Sequence, residues 1–186
     1  SMVFIKKLTA SSSSTLSFVD GASSVVLDNT YKEYLFTFNN IHPSANANLE
    51  FNATTDGSNY NVAKTSTAFY VEHEEDGGSG QIGYSGIDEA QATGFQQLTT
   101  GSNPCDDNDG SIVGFLHIFN PSNTTFVKHF ISRTTFMGEN SADRSSNSGH
   151  VAGYFNTTSA LTGFQFKMRS GNLDNGTIKL YGIKDS

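Results

Sequence analysis

Ile112-Val-Gly-Phe-Leu-His-Ile-Phe119 and Phe126-Val-Lys-His-Phe-Ile-Ser-Arg-Thr-Thr-Phe136 flank Asn120-Pro-Ser-Asn-Thr-Thr125. β-Branched and aromatic residues dominate both arms, and no apolar stripe recurs every three or four residues. The intervening Asn, Pro and Ser supply a backbone reversal. The spacing predicts an antiparallel hairpin in which Phe119 pairs with about Phe126. Phe115, His117, Phe119, Phe126, Lys128 and Phe130 then share one face. Leu116, Ile118, Val127, His129 and Ile131 share the other, which puts His117 and His129 on opposite faces. Both faces are apolar enough to need cover, so the hairpin is central in a sandwich or one face meets a neighbouring subunit.

The same period of two recurs outward from this pair. Tyr34, Phe36 and Phe38 alternate with Leu35 and Thr37; Leu49 and Phe51 with Glu50 and Asn52; Phe164, Phe166 and Met168 with Gln165, Lys167 and Arg169. Ala68 to Val71 is apolar on both sides, and Gly176 to Ile183 reads as a closing strand built into the sheet. Turn clusters separate the runs, among them Asp56-Gly-Ser-Asn59, Asp76-Gly-Gly-Ser-Gly80 and Ser170-Gly-Asn172. Asp88 to Gln97 is the single stretch that reads as a helical turn, weakened by Gly94. Eight to ten strands at this spacing predict an all-β chain: one antiparallel β-sandwich, jelly-roll-like, spanning residues 1–186 as a single domain. The polar, glycine-rich stretches Asp76 to Gly86, Asn103 to Gly110 and Glu139 to Gly149 are expected to be outward loops.

Composition narrows the function. The chain has 186 residues, 15 Phe, 7 Tyr and no Trp, and a net charge of −7. Nucleic-acid binding needs a basic patch, and docking on anionic membranes needs the same sign of charge, so both are disfavoured. No apolar run reaches the roughly 20 residues of a membrane span. Cys105 is the lone cysteine, which excludes an internal disulfide. Ser1 ahead of Met2 reads as a tag scar, with Met2 the natural start of a protein that carries no signal peptide.

Few residues offer chemistry. Asp106, Asp107 and Asp109 form a candidate calcium loop, although no Glu follows to close the coordination shell. A solvated acidic turn is the plain alternative. No histidine pair has zinc-ligand spacing. Gly83-Tyr-Ser-Gly-Ile87 lacks the final Gly of a nucleophile elbow. Acidic neighbours raise the pKa of the Cys105 thiol, the wrong direction for a nucleophile. Tyr60 and Tyr84 lie among Asn, Asp and Gly, company that suits a ring stacked under a sugar; turn aromatics packed over the end of the sandwich are the plain reading. No cofactor is expected.

Tyr34-Leu-Phe-Thr-Phe-Asn-Asn-Ile-His-Pro43, Asn48-Leu-Glu-Phe-Asn52 and Asp56-Gly-Ser-Asn-Tyr60 resemble the opening of a group of small tailed-bacteriophage virion proteins. The ending from Leu161 to Ile183, with Gly176-Thr-Ile-Lys-Leu-Tyr-Gly-Ile183, resembles theirs too. The resemblance covers about half the chain and rests on turn glycines and strand alternation. It implies a non-enzymatic jelly roll located in a virion, as a capsid decoration, knob or fibre tip. It implies a homotrimer whose partners are copies of itself, other virion proteins and a host-surface glycan. A monomeric carbohydrate-binding module is the rival reading. The resemblance transfers no binding residue.

Overall fold

The computed structural model describes residues 1–139 and 144–185. Thirteen strands run through them: β1 (Met2–Thr9), β2 (Leu16–Val19), β3 (Glu33–Pro43), β4 (Leu49–Thr54), β5 (Lys64–Glu74), β6 (Gly80–Tyr84), β7 (Gln96–Gln97), β8 (Asn103–Pro104), β9 (Ile112–Phe119), β10 (Lys128–Glu139), β11 (Arg144–Phe155), β12 (Gly163–Met168) and β13 (Leu173–Ile183). Every pairing between them is antiparallel. No helix occurs among the described residues, and so none long and apolar enough to cross a membrane.

The strands form two sheets. The larger runs β1-β13-β3-β9-β10-β11-β5-β6, with β8 beside β10, and the smaller runs β2-β12-β4-β7. Early strands pair with late ones in nested order: β1 with β13, β2 with β12, β3 with β9 and β4 with β7. That is one long ribbon doubled back and rolled into two layers, the jelly roll the alternation predicts. The count exceeds ten because hairpins are inserted into the ribbon. β5–β6 falls between β4 and β7, β10–β11 falls between β9 and β12, and all four extend the large sheet.

Phenylalanines fill the space between the layers. Phe166 of the small sheet meets Phe18, Phe36, Phe38 and Phe51 with ring centroids 5.1–6.3 Å apart, mostly edge to face. Phe51 also packs on Phe130 and Phe155. Edge-to-face contacts place positive ring edges on negative ring faces, adding to the burial of so much carbon. One contiguous cluster joins these rings to aliphatic residues from both sheets.

The central hairpin departs from its expected register. Phe130 pairs with Ile118 and Ile131 with His117, so Phe119 does not meet Phe126. The three-residue slip inverts one arm relative to the other. Phe130 and Lys128 join Leu116 and Ile118 toward the core, and His117 and His129 share the opposite face. The cause is local. Asn123 Oδ1 accepts hydrogen bonds from the Thr125 and Phe126 amides at 2.7 and 2.6 Å, which lengthens the loop. Lys128, 1% exposed, then turns inward and donates to the carbonyls of Asn123, Phe126, Thr157 and Ser159 at 2.6–3.4 Å. Burial lowers its pKa, and four carbonyl dipoles take the place of water around its charge.

Other expectations shift as well. Asp88 to Gln97 is not helical. Its Gln96 side chain is buried, donates to the carbonyls of Ile87 and Gln97, and accepts from Ser66 Oγ, so the segment lies as a cover over the sheet. The stretch Asp76 to Gly86 contains β6, and Asn103 to Gly110 begins with β8. Of Glu139 to Gly149, Glu139 ends β10, residues 144–149 belong to β11, and 140–143 lie outside the described residues. Gly176 (φ +104°) lies where β13 crosses an irregularity of β3. A Cβ there would come within 2.3 Å of the Asn40 carbonyl oxygen, so only glycine fits.

Phe166→Ala is expected to lower the unfolding free energy by about 3–5 kcal/mol, because the rings around it cannot all collapse into the gap. Lys128→Met is expected to cost about 2–4 kcal/mol, because the surrounding carbonyls lose a charged donor. Urea denaturation followed by near-ultraviolet circular dichroism checks both.

Candidate functional site

In a strand, side chains that turn away from the core form the sheet's second face. On the small sheet this face is polar and roofed. The Asn52 amide donates to the carbonyls of Tyr60, Thr93 and Gly94, and Lys167 Nζ lies 3.1 Å from Glu50. The large sheet is different. Its registers line up Phe4, Tyr181, Leu35, His117, Ile131, Ala152 and Thr67 in one row across seven strands. The next row is Met2, Ile183, Glu33, Phe119, His129, Tyr154 and Thr65. On the other side of the first row, Phe115, Arg133, His150 and Phe69 follow one another. Phe4 is 56% exposed, Ile131 49% and Phe69 42%. Among the described residues nothing packs over this face.

The exposed rings are ordered by one another. Phe4 meets Tyr181 edge-on at 5.8 Å, and Phe69 stacks on His150 at 4.4 Å. Between Phe119, His129 and Tyr154, the small residues Ala152 and Gly153 leave an apolar hollow of ≈ 630 Å³. The sequence carried a partial signal of this face in runs apolar on both sides, above all Ala68 to Val71. It did not bring β1, β9, β10 and β13 onto one plane, because sheet order is not a local property.

The face is also electrically distinct. It holds Lys7, Lys179 and Arg133, and four of the five histidines: His73, His117, His129 and His150. Glu74, Glu75 and Asp109 border its end beside His73, Val113 and Met137, and Glu33 lies among the histidines. Its Oε2 lies 2.8 Å from His117 Nε2, but the approach is off-line and that nitrogen makes no aligned hydrogen bond. At the end of the face Glu139 is held by Arg144 at 3.3 Å. His42 lies apart, with Nδ1 donating to the Gly110 carbonyl at 2.6 Å.

The residues singled out from sequence are dispersed. Asp107 is ion-paired with Arg144. Asp106 falls with Cys105 and Glu139, whose ligand atoms lie within 4.8 Å of one another. Asp109 lines a separate polar hollow with His42 and Asp174. The three aspartates thus do not converge as the ligand set of one ion. Cys105 is buried, and that burial, more than its acidic neighbours, raises the thiol pKa. Tyr60 is half-buried, and its carbonyl serves the Asn52 amide. Tyr84 is 66% exposed on edge strand β6, paired with Phe69 and so on the outer face; it borders a polar groove of ≈ 470 Å³ walled by Tyr70, Glu72, Gln81 and Asn103 on the other side. Sequence reading missed that groove, since its walls come from segments far apart in the chain.

Compared with protein families, curated proteins and solved structures, the chain matches none of them.

Burial, with the nearby Arg133 charge, lowers the pKa of His150 below the ordinary histidine value of 6.5. The unfolded chain then binds more protons than the folded one just below pH 6.5, so stability falls as pH drops through that window. The urea midpoint is expected to decrease from pH 7.5 to pH 5.5, with a shallower decrease in His150→Gln.

Proposed function

We propose that the chain is a non-enzymatic structural protein of a tailed-phage virion, displayed on the particle surface as a homotrimer joined through the outer face of the large sheet. The observation that carries this reading is the apolar row from Phe4 through Tyr181, Leu35, His117 and Ile131 to Ala152. Exposed apolar patches beyond a few hundred Å² are uncommon on monomers and mark surfaces that take a partner. Seven strands about 4.8 Å apart, by three rows about 6.8 Å apart, make a plane on the order of 700 Å² before side-chain relief. A specific interface takes about 800 Å² from each partner, so the face is of the right size.

Charge favours a ring of copies over a face-to-face pair. Two such faces opposed would bring Lys7, Lys179 and Arg133 together. A face set against another surface of a net-acidic neighbour pairs unlike charges and gives a heterologous contact, which closes into a ring such as a trimer. The resemblance of both chain ends to small virion proteins supports the location. The mechanism is then shape and surface: the assembled copies reinforce the particle and turn their remaining loops toward other virion proteins or the host.

Light scattering is expected to give about three times the chain mass of 20.0 kDa. Phe4→Asp combined with Ile131→Asp is expected to reduce this to one chain without loss of the β-type circular dichroism spectrum. A wild-type protein that stays at one chain mass at micromolar concentration overturns the reading.

A further inference from the structure

We infer that the groove between β6 and residues 98–103 is a binding site for a neutral saccharide. The groove encloses ≈ 470 Å³ and is walled by amides, hydroxyls, carboxylates and the ring of Tyr70. That volume falls within the usual range for small-molecule sites. Its chemistry selects the ligand. No Lys, Arg or His lines it, so phosphate, sulfate and sialic acid find no counter-charge. Its polar walls would be desolvated at a loss by a hydrocarbon ligand. Its two carboxylates are already engaged: Glu72 accepts from the Gln81 amide and Glu139 pairs with Arg144. A neutral ring carrying many hydroxyls, each both donor and acceptor, meets what remains.

The site is built in advance. Tyr70 lies against backbone at Gly83 and Gly101, where an added Cβ would come within 3.0 Å of its ring. Gly101 (φ +104°) takes a conformation that side chains rarely adopt, and this lets its loop approach the ring. On the groove's rim, Asn48 Nδ2 donates to Asn103 Oδ1 at 2.9 Å, and Thr99 Oγ1 donates to Asn48 Oδ1 at 2.7 Å, so the Asn103 amide plane is fixed. Ordering these groups before binding removes much of the entropic cost of fixing them on a ligand.

An independent observation marks the same wall. Ser102 Oγ and Asn147 Oδ1 are buried with no hydrogen-bond partner among the described residues. Ser102 lines the groove. Asn147 is fully buried, and its Oδ1 faces Gly101, where a Cβ would lie 2.6 Å away. Buried polar atoms without partners are rare in native proteins and concentrate where a function requires them.

The test uses the full chain on an array of neutral and acidic glycans, followed by titration of the strongest neutral oligosaccharide by ligand-observed NMR. Saturable binding to a neutral glycan is expected, weakened at least tenfold by Tyr70→Leu and by Gln81→Ala and unchanged by Tyr84→Ala and by Tyr60→Ala. Gln81 is exposed and Tyr70 half-buried, and thermal melts matching the parent establish that the variants are folded. Absence of neutral-glycan binding, binding confined to acidic glycans, or affinity retained in both variants overturns the inference. Light scattering on the same samples reads assembly separately, so loss of the trimer and loss of the saccharide site are told apart.

Discussion

A sheet has two sides, and this chain owns a second layer for only one of them. Four short strands face a sheet twice as wide, and everything distinctive about the molecule follows from that mismatch. Where the layers oppose each other, rings from both sheets interlock, and Phe166 contacts four others. Beyond the small sheet's reach, the inner side of the extension is covered by loops, and these carry Leu98, Thr99 and Thr100 into burial. Among the described residues nothing covers the outer side, yet its strands carry Phe, Tyr, Ile and His where a solvated sheet alternates with polar residues. Apolar surface left bare across seven strands is a standing cost in water unless a partner removes it.

The jelly roll itself was legible because its signal is local. Alternation at Tyr34 to Phe38 and Phe164 to Met168 states both that these are strands and which side faces inward. The observed burial follows that alternation residue by residue. The closing strand was legible for the same reason, and β13 lies between β1 and β3. The hairpin register was not legible, because it hangs on hydrogen bonds that composition does not announce. An asparagine side chain that captures two amides, and a lysine that gathers carbonyls from two loops, move the pairing by three residues. An odd slip of that kind exchanges the faces of β10, so one local error misplaces Lys128, His129, Phe130 and Ile131 at once.

The candidate sites divide along the same line. Acid clusters and lone tyrosines could be seen in the sequence, but proximity in sequence did not become convergence in space. Asp106, Asp107 and Asp109 are neighbours in the chain, and each has a different environment. The reverse holds for the groove beside β6, where Asn48, Tyr70, Gln81 and Asn103 come from four separate segments. Tyr84 was visible as an exposed turn aromatic, whereas the groove it borders depends on how the inserted hairpin docks against residues 98–103.

The insertions therefore deserve to be considered apart from the roll that carries them. Strands β1, β2, β3, β4, β7, β9, β12 and β13 close on themselves and account for most of the phenylalanine core. Strands β5, β6, β10 and β11 lengthen one sheet without lengthening its partner. That addition doubles the width of the bare face on one side and opens a polar recess on the other. Two surfaces of opposite character then stand back to back on the same four strands, one apolar and cationic, one polar and free of cations. Because side chains on a strand alternate between them, a change to one surface leaves the other's residues in place, provided register is kept. Register in this half of the sheet starts from the loop that Lys128 ties down. That buried charge fixes which residues face the core and which face outward, and through that both surfaces.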